Sequence, residues 1–363
     1  MAYWITHPAE LEQRYQQHPD RIGLDTEFIR ERTFWPQLAL VQMAIGEEIL
    51  LIDPLIPGMA EALKPWLTDT SITKVMHSAS EDLVAFKHTC GVLPRPLFDT
   101  QIGAALAGIG SGMGYQKLVA AITGVTLPKG ETRSDWMRRP LSPTQLEYAA
   151  DDVVHLFALH DEIRSQLEQK GRTAWLQEDS ERLLASVDDD EDRWPHVSMR
   201  AAQFLDAQSQ RRLLRLLRWR DLQARQSDRP RSWILDNELA TTLARNPPAD
   251  TDALLRLMDR FPKAPRRLAQ PLFQALTTPL EDEAQAPLAS QPTDASKNTI
   301  KRLQDAVAAR AAELGLPDGV LASRRHLETW LESGQWPALL GQWRRAELEQ
   351  RLAPLLAEPA AAG

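Results

Sequence analysis

A single cysteine, Cys90, stands among the 363 residues, which excludes an intramolecular disulfide and fits a reducing compartment. No apolar run approaches the length of a membrane span, so no membrane association is expected. The first ten residues lack a basic stretch followed by an apolar one, and no secretory signal is read there. No fixed-period repeat runs along the chain. A cytoplasmic location is the expectation. Composition is otherwise that of an ordinary globular protein, 43% hydrophobic and 25% charged, and the length suffices for two or three domains.

Lysine is scarce where positive charge is concentrated. Residues 200–270 carry 15 basic and 8 acidic side chains, and all but one of the 15 are arginine. Residues 1–192 carry 17 basic against 30 acidic, so the net charge of −8 conceals an acidic body joined to a basic segment. Such a split suits one part that holds cations and another that holds a polyanion, although an arginine-rich solvated helix would look the same.

The stretch from Ile22 to Phe28 has the length and apolar content of a short buried strand, interrupted by Asp25 and Glu27. Residues two apart on a strand share a face, so the two carboxylates project side by side. Crowded acids repel each other and lose hydration, a cost that a cation offsets and that exposure at a strand end would also avoid. Strands over 37–45 and 48–52 follow, with a turn at Gly46 and Glu47, giving a meander. A helical lead-in is expected around residues 8–17, helix over about 57–67, and a further short strand over 73–76. From Ser80, read as the cap, the pattern turns helical, with Leu83, Val84 and Phe86 inward. Leu97 and Phe98 lead into the next helix, Tyr115 to Ile122 form another, and Pro143 opens a long one with Leu146, Ala149, Val153, Leu156 and Leu159 at helical spacing. Strands followed by helices that pack on them give an α/β or α+β domain. Everything beyond the acidic run at 188–192 reads as helix, except a flexible linker at 281–296.

Further acids fall on these elements. Asp82 lies in the first turn of its helix, where the helix dipole alone would favour it. Tyr148 and Asp152 are four apart on the long helix and share a face. Asp99 reads as a helix cap. Each signal is weak by itself, but together they place four carboxylates on a strand and two helices. Four hard oxygen ligands suit a pair of divalent cations, the usual device for in-line displacement at phosphorus. Tyr148 would orient the attacking water, since a phenol is too weak an acid to be an ordinary base at neutral pH.

The motifs Asp25-Thr26-Glu27-Phe28, Ser80-Glu81-Asp82-Leu83 and Tyr148-Ala149-Ala150-Asp151-Asp152 resemble those of the DEDD 3′–5′ exonucleases, in the subclass with Tyr four residues before the last Asp. The sister subclass has His five residues before that Asp, where this chain has Glu147. The whole chain resembles the ribonuclease D family, including Lys129-Gly130-Glu131-Thr132-Arg133-Ser134-Asp135-Trp136 and the Arg139-Pro140-Leu141-Ser142 that follows. Residues 207–280 are similar to an HRDC domain, with Trp219-Arg220 and Leu235-Asp236-Asn237-Glu238-Leu239 as its recognisable pieces, and 297–356 to a second, divergent one.

The resemblance implies an α/β ribonuclease-H-like exonuclease domain, a mixed sheet flanked by helices, over 1–187. It then implies an acidic connector at 188–206, two all-α HRDC-type domains over 207–280 and 297–356 separated by the linker at 281–296, and a tail at 357–363. It further implies two Mg2+ or Mn2+ ions held by Asp25, Glu27, Asp82 and Asp152, with Tyr148 as the fifth catalytic residue. The implied substrates are precursor tRNA and other small structured RNAs, trimmed from the 3′ end to release nucleoside 5′-monophosphates by a monomeric enzyme. Asp25 would bridge both ions.

Around this constellation, His77 is either a ligand or a packed histidine. Lys129, Arg133 and Arg139 could neutralise RNA phosphates or simply be solvated. Phe28 and Trp136 could stack on terminal bases or lie in the core. Arg211, Arg212, Arg215 and Arg218 fall within about two helical turns and form the expected docking surface for a structured RNA, with a protein-interaction role for the helices as the competitor. Two other functions stay open at this point. One is a DNA exonuclease with the same chemistry; the other is a non-catalytic RNA-binding scaffold.

Overall fold

The computed structural model describes residues 2–128, 134–188, 192–291 and 293–357, which form two units. The first unit holds residues 1–29, 36–189 and 294–363; the second holds 30–35 and 190–293.

In the first unit, β1 (Ala2–Ile5) and α1 (Pro8–Tyr15) precede three long strands, β2 (Arg21–Ile29), β3 (Gln37–Ile45) and β4 (Glu48–Ile52). Then come α2 (Met59–Thr68), β5 (Thr73–Met76), α3 (Ser80–Cys90) and β6 (Leu97–Asp99), and after these α4 (Thr100–Ala107), α5 (Tyr115–Thr123), α6 (Pro143–Val154), α7 (Leu156–Gln169) and α8 (Thr173–Asp188). The sheet order is β1-β4-β3-β2-β5-β6. The β2–β3–β4 meander is antiparallel, while β1, β5 and β6 join it in parallel, so the sheet is mixed as expected. Its central strand β3 is buried from Leu38 to Ile45, as a strand covered on both faces must be. One face packs Ile22, Leu24, Val41 and Met43 against Leu63, Trp66, Leu83 and Phe86 of α2 and α3. The other packs Ala39, Leu40 and Leu51 against Trp136, Leu141 and Ala149.

Three local features differ from the sequence reading. The strands β1 and β6 are present but short, four and three residues, too short to show an alternation. Ser80 is not a cap: Ala79 occupies that position, and the Asp99 carboxylate accepts from the backbone N–H groups of Ala79 (2.8 Å) and Ser78 (3.3 Å). The long helix from Pro143 is two helices, broken at His155. There the Tyr115 hydroxyl accepts from His155 N–H (3.2 Å) and donates to the Asp151 carbonyl (3.1 Å). Cys90 is buried, and burial pushes its thiol up to about 12.

The second unit is helical: α9 (Ala207–Ser227), α10 (Arg231–Ile234), α11 (Asn237–Arg245), α12 (Thr251–Met258) and α13 (Ala269–Thr277). Asp206, Asp236 and Asp250 cap α9, α11 and α12 with their side chains, satisfying otherwise unpaired N–H groups. Leu213, Leu216, Leu217, Leu239, Leu243, Leu254 and Leu272 form the core. Asp228, with φ of +47°, ends α9 and accepts from the N–H groups of Phe34 and Trp35. Within the stretch expected to be a flexible linker, Asp282 and Glu283 pair with arginines of α9, and Gln210 bonds both backbone groups of Ala289.

The chain then returns to the first unit with α14 (Asp294–Leu314), α15 (Arg324–Ser333) and α16 (Gly341–Ala357). Ile300, Leu303, Val307, Leu327 and Leu348 share one apolar cluster with Leu106, Leu118, Leu159, Ile163 and Leu176. The last helices are thus built into the core of the unit that carries the sheet.

Candidate active site

Asp25 and Glu27 lie on β2, opposite Gln42 and Leu40 of β3, and a bulge follows between Glu27 and Phe28. Their strand spacing puts both on the face covered by α6. The third acid, Asp82, sits in the first turn of α3, buried. Thr26, between the two strand acids, donates its hydroxyl to Asp82 Oδ1. The fourth, Asp152, is one turn beyond Tyr148 on the same face of α6, where the Tyr148 hydroxyl favours its ionised carboxylate. The start of α6 is fixed by a capping box, with Ser142 and Gln145 each accepting from the other's backbone N–H.

Burial raises all four carboxyls, and the charges of the other acids add to the shift of Asp25 and Glu27. Burial, followed by the charges of Asp82, Asp152 and Glu27, raises the Asp25 carboxyl well above its ordinary range. Glu27 is raised to about 8 by burial and by Asp152 and Asp82. Asp82 is raised to about 7, burial outweighing its bond from Thr26. Asp152 is raised to about 7 by burial, against the bond from Tyr148. Every neighbouring charge that shifts Asp25 or Glu27 is another carboxylate. Among the described residues no three His, Cys, Asp or Glu side chains lie close enough together, as placed, to hold a metal ion between them. A group of mutually repelling, hard oxygen donors fits divalent cations and fits no anion or soft metal.

The accessory residues fall elsewhere. His77 donates from Nε2 to the Met113 carbonyl (3.0 Å), with Nδ1 2.9 Å from the Thr100 hydroxyl, and burial lowers its pKa. It is a packed, neutral histidine beside Tyr115, their ring centroids 5.6 Å apart. Trp136 is 3% exposed and packs behind Tyr148, with centroids 6.1 Å apart. Phe28 is partly buried against the core. Arg139 is bound to both Asp53 oxygens (2.6 and 2.8 Å) and to the Ala39 carbonyl, so its guanidinium holds the approach to α6 onto the sheet. Lys129 and Arg133 lie outside the described residues.

In the second unit, the arginines expected to dock RNA are mostly engaged. Arg212 donates to the Ala244 carbonyl and Ser209, Arg215 pairs with Glu283 at 2.6 Å through two nitrogens, and Arg218 pairs with Asp282. Arg211 is exposed. Periodicity places an arginine on a helix, but the acid partners of Arg218 and Arg215 come 64 and 68 residues later and cannot be read from it.

Three residues around the acids have no signature in the sequence reading. Thr26 holds Asp82, and Tyr115 holds the bend that follows Asp152. Gln42, wholly buried opposite Asp25, has no hydrogen-bond partner for either side-chain atom. A glutamine within the apolar run 37–45 was the available hint.

A family model described as 3′–5′ exonuclease matches residues 3–168, and one for the HRDC domain matches 209–275. The ribonuclease D of Xanthomonas oryzae pv. oryzae is 72% identical over 358 residues, 98% of this chain and 99% of that protein. That of Pseudomonas paraeruginosa is 36% identical over 363 residues, covering 96% of each. The crystal structure of Escherichia coli RNase D, an exoribonuclease involved in structured RNA processing, is similar with a TM-score of 0.83 and 29% identity over 98% of both chains. On these matches the chain belongs to the ribonuclease D family and is a 3′–5′ exoribonuclease.

Proposed function

We propose that this enzyme trims the 3′ ends of precursor tRNA and other small structured RNAs, releasing nucleoside 5′-monophosphates, with Asp25, Glu27, Asp82, Tyr148 and Asp152 as its catalytic residues. The observation that carries the reading is the burial of four carboxylates supplied by β2, α3 and α6, two of which, Asp25 and Glu27, are raised further by the charges of Asp82 and Asp152. Two divalent cations, Mg2+ or Mn2+, would be held by Asp25, Glu27, Asp82 and Asp152, and when bound they supply Lewis acidity and neutralise charge at phosphorus.

The side chains define the remaining roles. Asp25, the group raised by all three other acids, is where a bound cation would relieve the most repulsion. The Tyr148 phenol is raised above its ordinary range by burial and by Asp152 and Glu27, so it is neutral and acts as a hydrogen-bonding group. Held by Asp152 and backed by Trp136, it orients the attacking water rather than removing its proton. Thr26 and Tyr115 keep Asp82 and Asp152 aimed.

A 3′-extended precursor tRNA incubated with and without Mg2+ tests the reading. Cation-dependent release of 5′-monophosphates from the 3′ end is expected, lost in Asp25→Asn and Asp152→Asn with the fold intact. Internal cleavage, or equal cleavage of a matched DNA strand, would overturn the substrate assignment.

A further inference from the structure

The second unit carries two neighbouring concavities that share one residue, Asn237 at the start of α11. The first, of about 460 Å³, is lined by Arg30, Thr33, Arg220, Arg231, Ser232 and Asn237, with Glu31 at its edge. The second, of about 580 Å³, is lined by Ser198, Arg200, Asn237, Thr241, Thr242 and Arg245, with Glu238. Five arginines thus face two glutamates in a chain whose net charge is −8. Hydroxyls and an amide fill the spaces between the cations, the donor set that phosphodiesters recruit.

Arg220 has the most telling environment. One of its terminal nitrogens donates to Asn237 Oδ1 (2.7 Å) and the Leu235 carbonyl (3.3 Å), while its buried Nε has no acceptor. Burial and the like charge of Arg231 both act against its cation. Arg231 is itself shared with Asp221. A buried guanidinium N–H without an acceptor, beside a second cation, is the place where an anionic oxygen gains most. Beside Arg231 and Ser232, Trp233 is 51% exposed, and an exposed indole next to a phosphate site is a stacking platform for a base. By contrast, Arg212, Arg215 and Arg218 of α9 are bound to carbonyls and carboxylates of their own unit.

We propose that these joined concavities form a track for the phosphodiester backbone of single-stranded RNA, with phosphates at Arg220 and Arg231 and at Arg200 and Arg245, and a base on Trp233. This rests on the reading of the enzyme as one that acts on RNA, and adds a second point of hold apart from the catalytic acids.

The test uses the full chain and a fluorescent single-stranded RNA of about 20 nucleotides in EDTA, read by anisotropy across a salt series. Ser232→Glu and the pair Arg200→Glu with Arg245→Glu place or reverse charge on exposed positions of the track. Arg256→Glu, exposed on α12 and outside both concavities, lowers the net charge by more than Ser232→Glu does and by half as much as the arginine pair, and so controls for net charge alone. Track variants should raise Kd roughly fivefold or more and flatten the salt slope by about 0.7 for each phosphate no longer neutralised, while Arg256→Glu binds like the unaltered chain. Mg2+-dependent hydrolysis of a trinucleotide should stay within about twofold in all of them. Trp233→Ala should weaken binding without changing the salt slope. Track variants that bind like Arg256→Glu would overturn the proposal even if the unaltered enzyme hydrolyses RNA normally. Competition by polyglutamate of equal charge would also overturn it, assigning the surface to acidic proteins. Loss of trinucleotide hydrolysis alongside binding would overturn it by locating the defect in the catalytic unit.

Discussion

Thr26 donates its hydroxyl to Asp82 Oδ1, so the residue between the two strand acids also holds the third acid of the site. The bond links β2 to α3 across a buried gap and is one of two forces that lower the Asp82 pKa against the dominant effect of burial. Thr26→Val keeps the β-branched shape and removes the donor. Mn2+ affinity measured by calorimetry should fall on the order of tenfold, with circular dichroism unchanged, and Thr26→Ser should restore most of it. An unaltered affinity in Thr26→Val would remove Thr26 from the site.

The carboxyl shifts also set a dependence on pH. Glu27 at about 8 and Asp82 and Asp152 at about 7 are all raised above unfolded values. Between the ordinary carboxylate range and these values the folded chain holds protons that the unfolded chain has released. Their contribution to stability is therefore complete below the unfolded pKa and lost as pH rises through about 7 and then about 8. In EDTA, Tm should fall between about pH 6 and about pH 9. Added Mg2+ competes with protons for the same oxygens, so it should raise Tm more at the alkaline end. Asp25→Asn should flatten both effects. A Tm in EDTA independent of pH over this range would contradict the raised carboxyls.

Gln42 offers a case in which stability and activity part. Its amide is fully buried without partners, directly across the β2–β3 pair from Asp25 and on the same face. A buried amide lacking hydrogen bonds costs about 1–3 kcal/mol, a cost that an apolar side chain of similar size avoids. Gln42→Leu should raise Tm. If the amide serves to orient Asp25, nucleotide release should fall on the order of tenfold in the same variant. A rise in Tm with full activity would make Gln42 merely a strained core residue.

Much of this architecture is legible in the chain itself. The strand β2 and the meander after it follow from short apolar runs separated by turns, and the helix from Pro143 from a period near four, while the four acids with Tyr148 stand out because carboxylates interrupt apolar patterns. What escapes depends on partners distant in sequence. Asp99 caps the start of α3 from the end of β6 as well as α4 itself, which no local motif announces. The break at His155 is held by Tyr115, 40 residues earlier. Arg139 reads as either a phosphate neutraliser or a solvated cation, and neither reading announces its pairing with Asp53, 86 residues away.

The last helices resemble a separate HRDC-type domain in the sequence, yet Asp179 and Arg344 tie them to the unit that carries the sheet. Asp179 on α8 accepts from both terminal nitrogens of Arg344 on α16 (2.6 and 2.8 Å), from Trp343 Nε1 (2.9 Å) and from Arg182 (2.8 Å). Beside it, Trp175 and Trp343 stack with centroids 4.2 Å apart. Asp179 and Arg344 are 3% and 8% exposed, so removing one partner strands the other charge in the interior. Asp179→Ala should cost about 3–5 kcal/mol, far more than a surface pair. Limited proteolysis should then cut within residues 294–357 before it reaches the sheet. The double change Asp179→Ala with Arg344→Leu should recover part of the loss, because the buried Arg344 guanidinium is gone and the remaining partner, Arg182, is 28% exposed and can be hydrated. Truncation before residue 294 should expose Leu159, Ile163 and Leu176 and yield aggregated protein. A soluble truncated chain with the full-length Tm would mean that the shared apolar cluster contributes nothing to the stability of the unit.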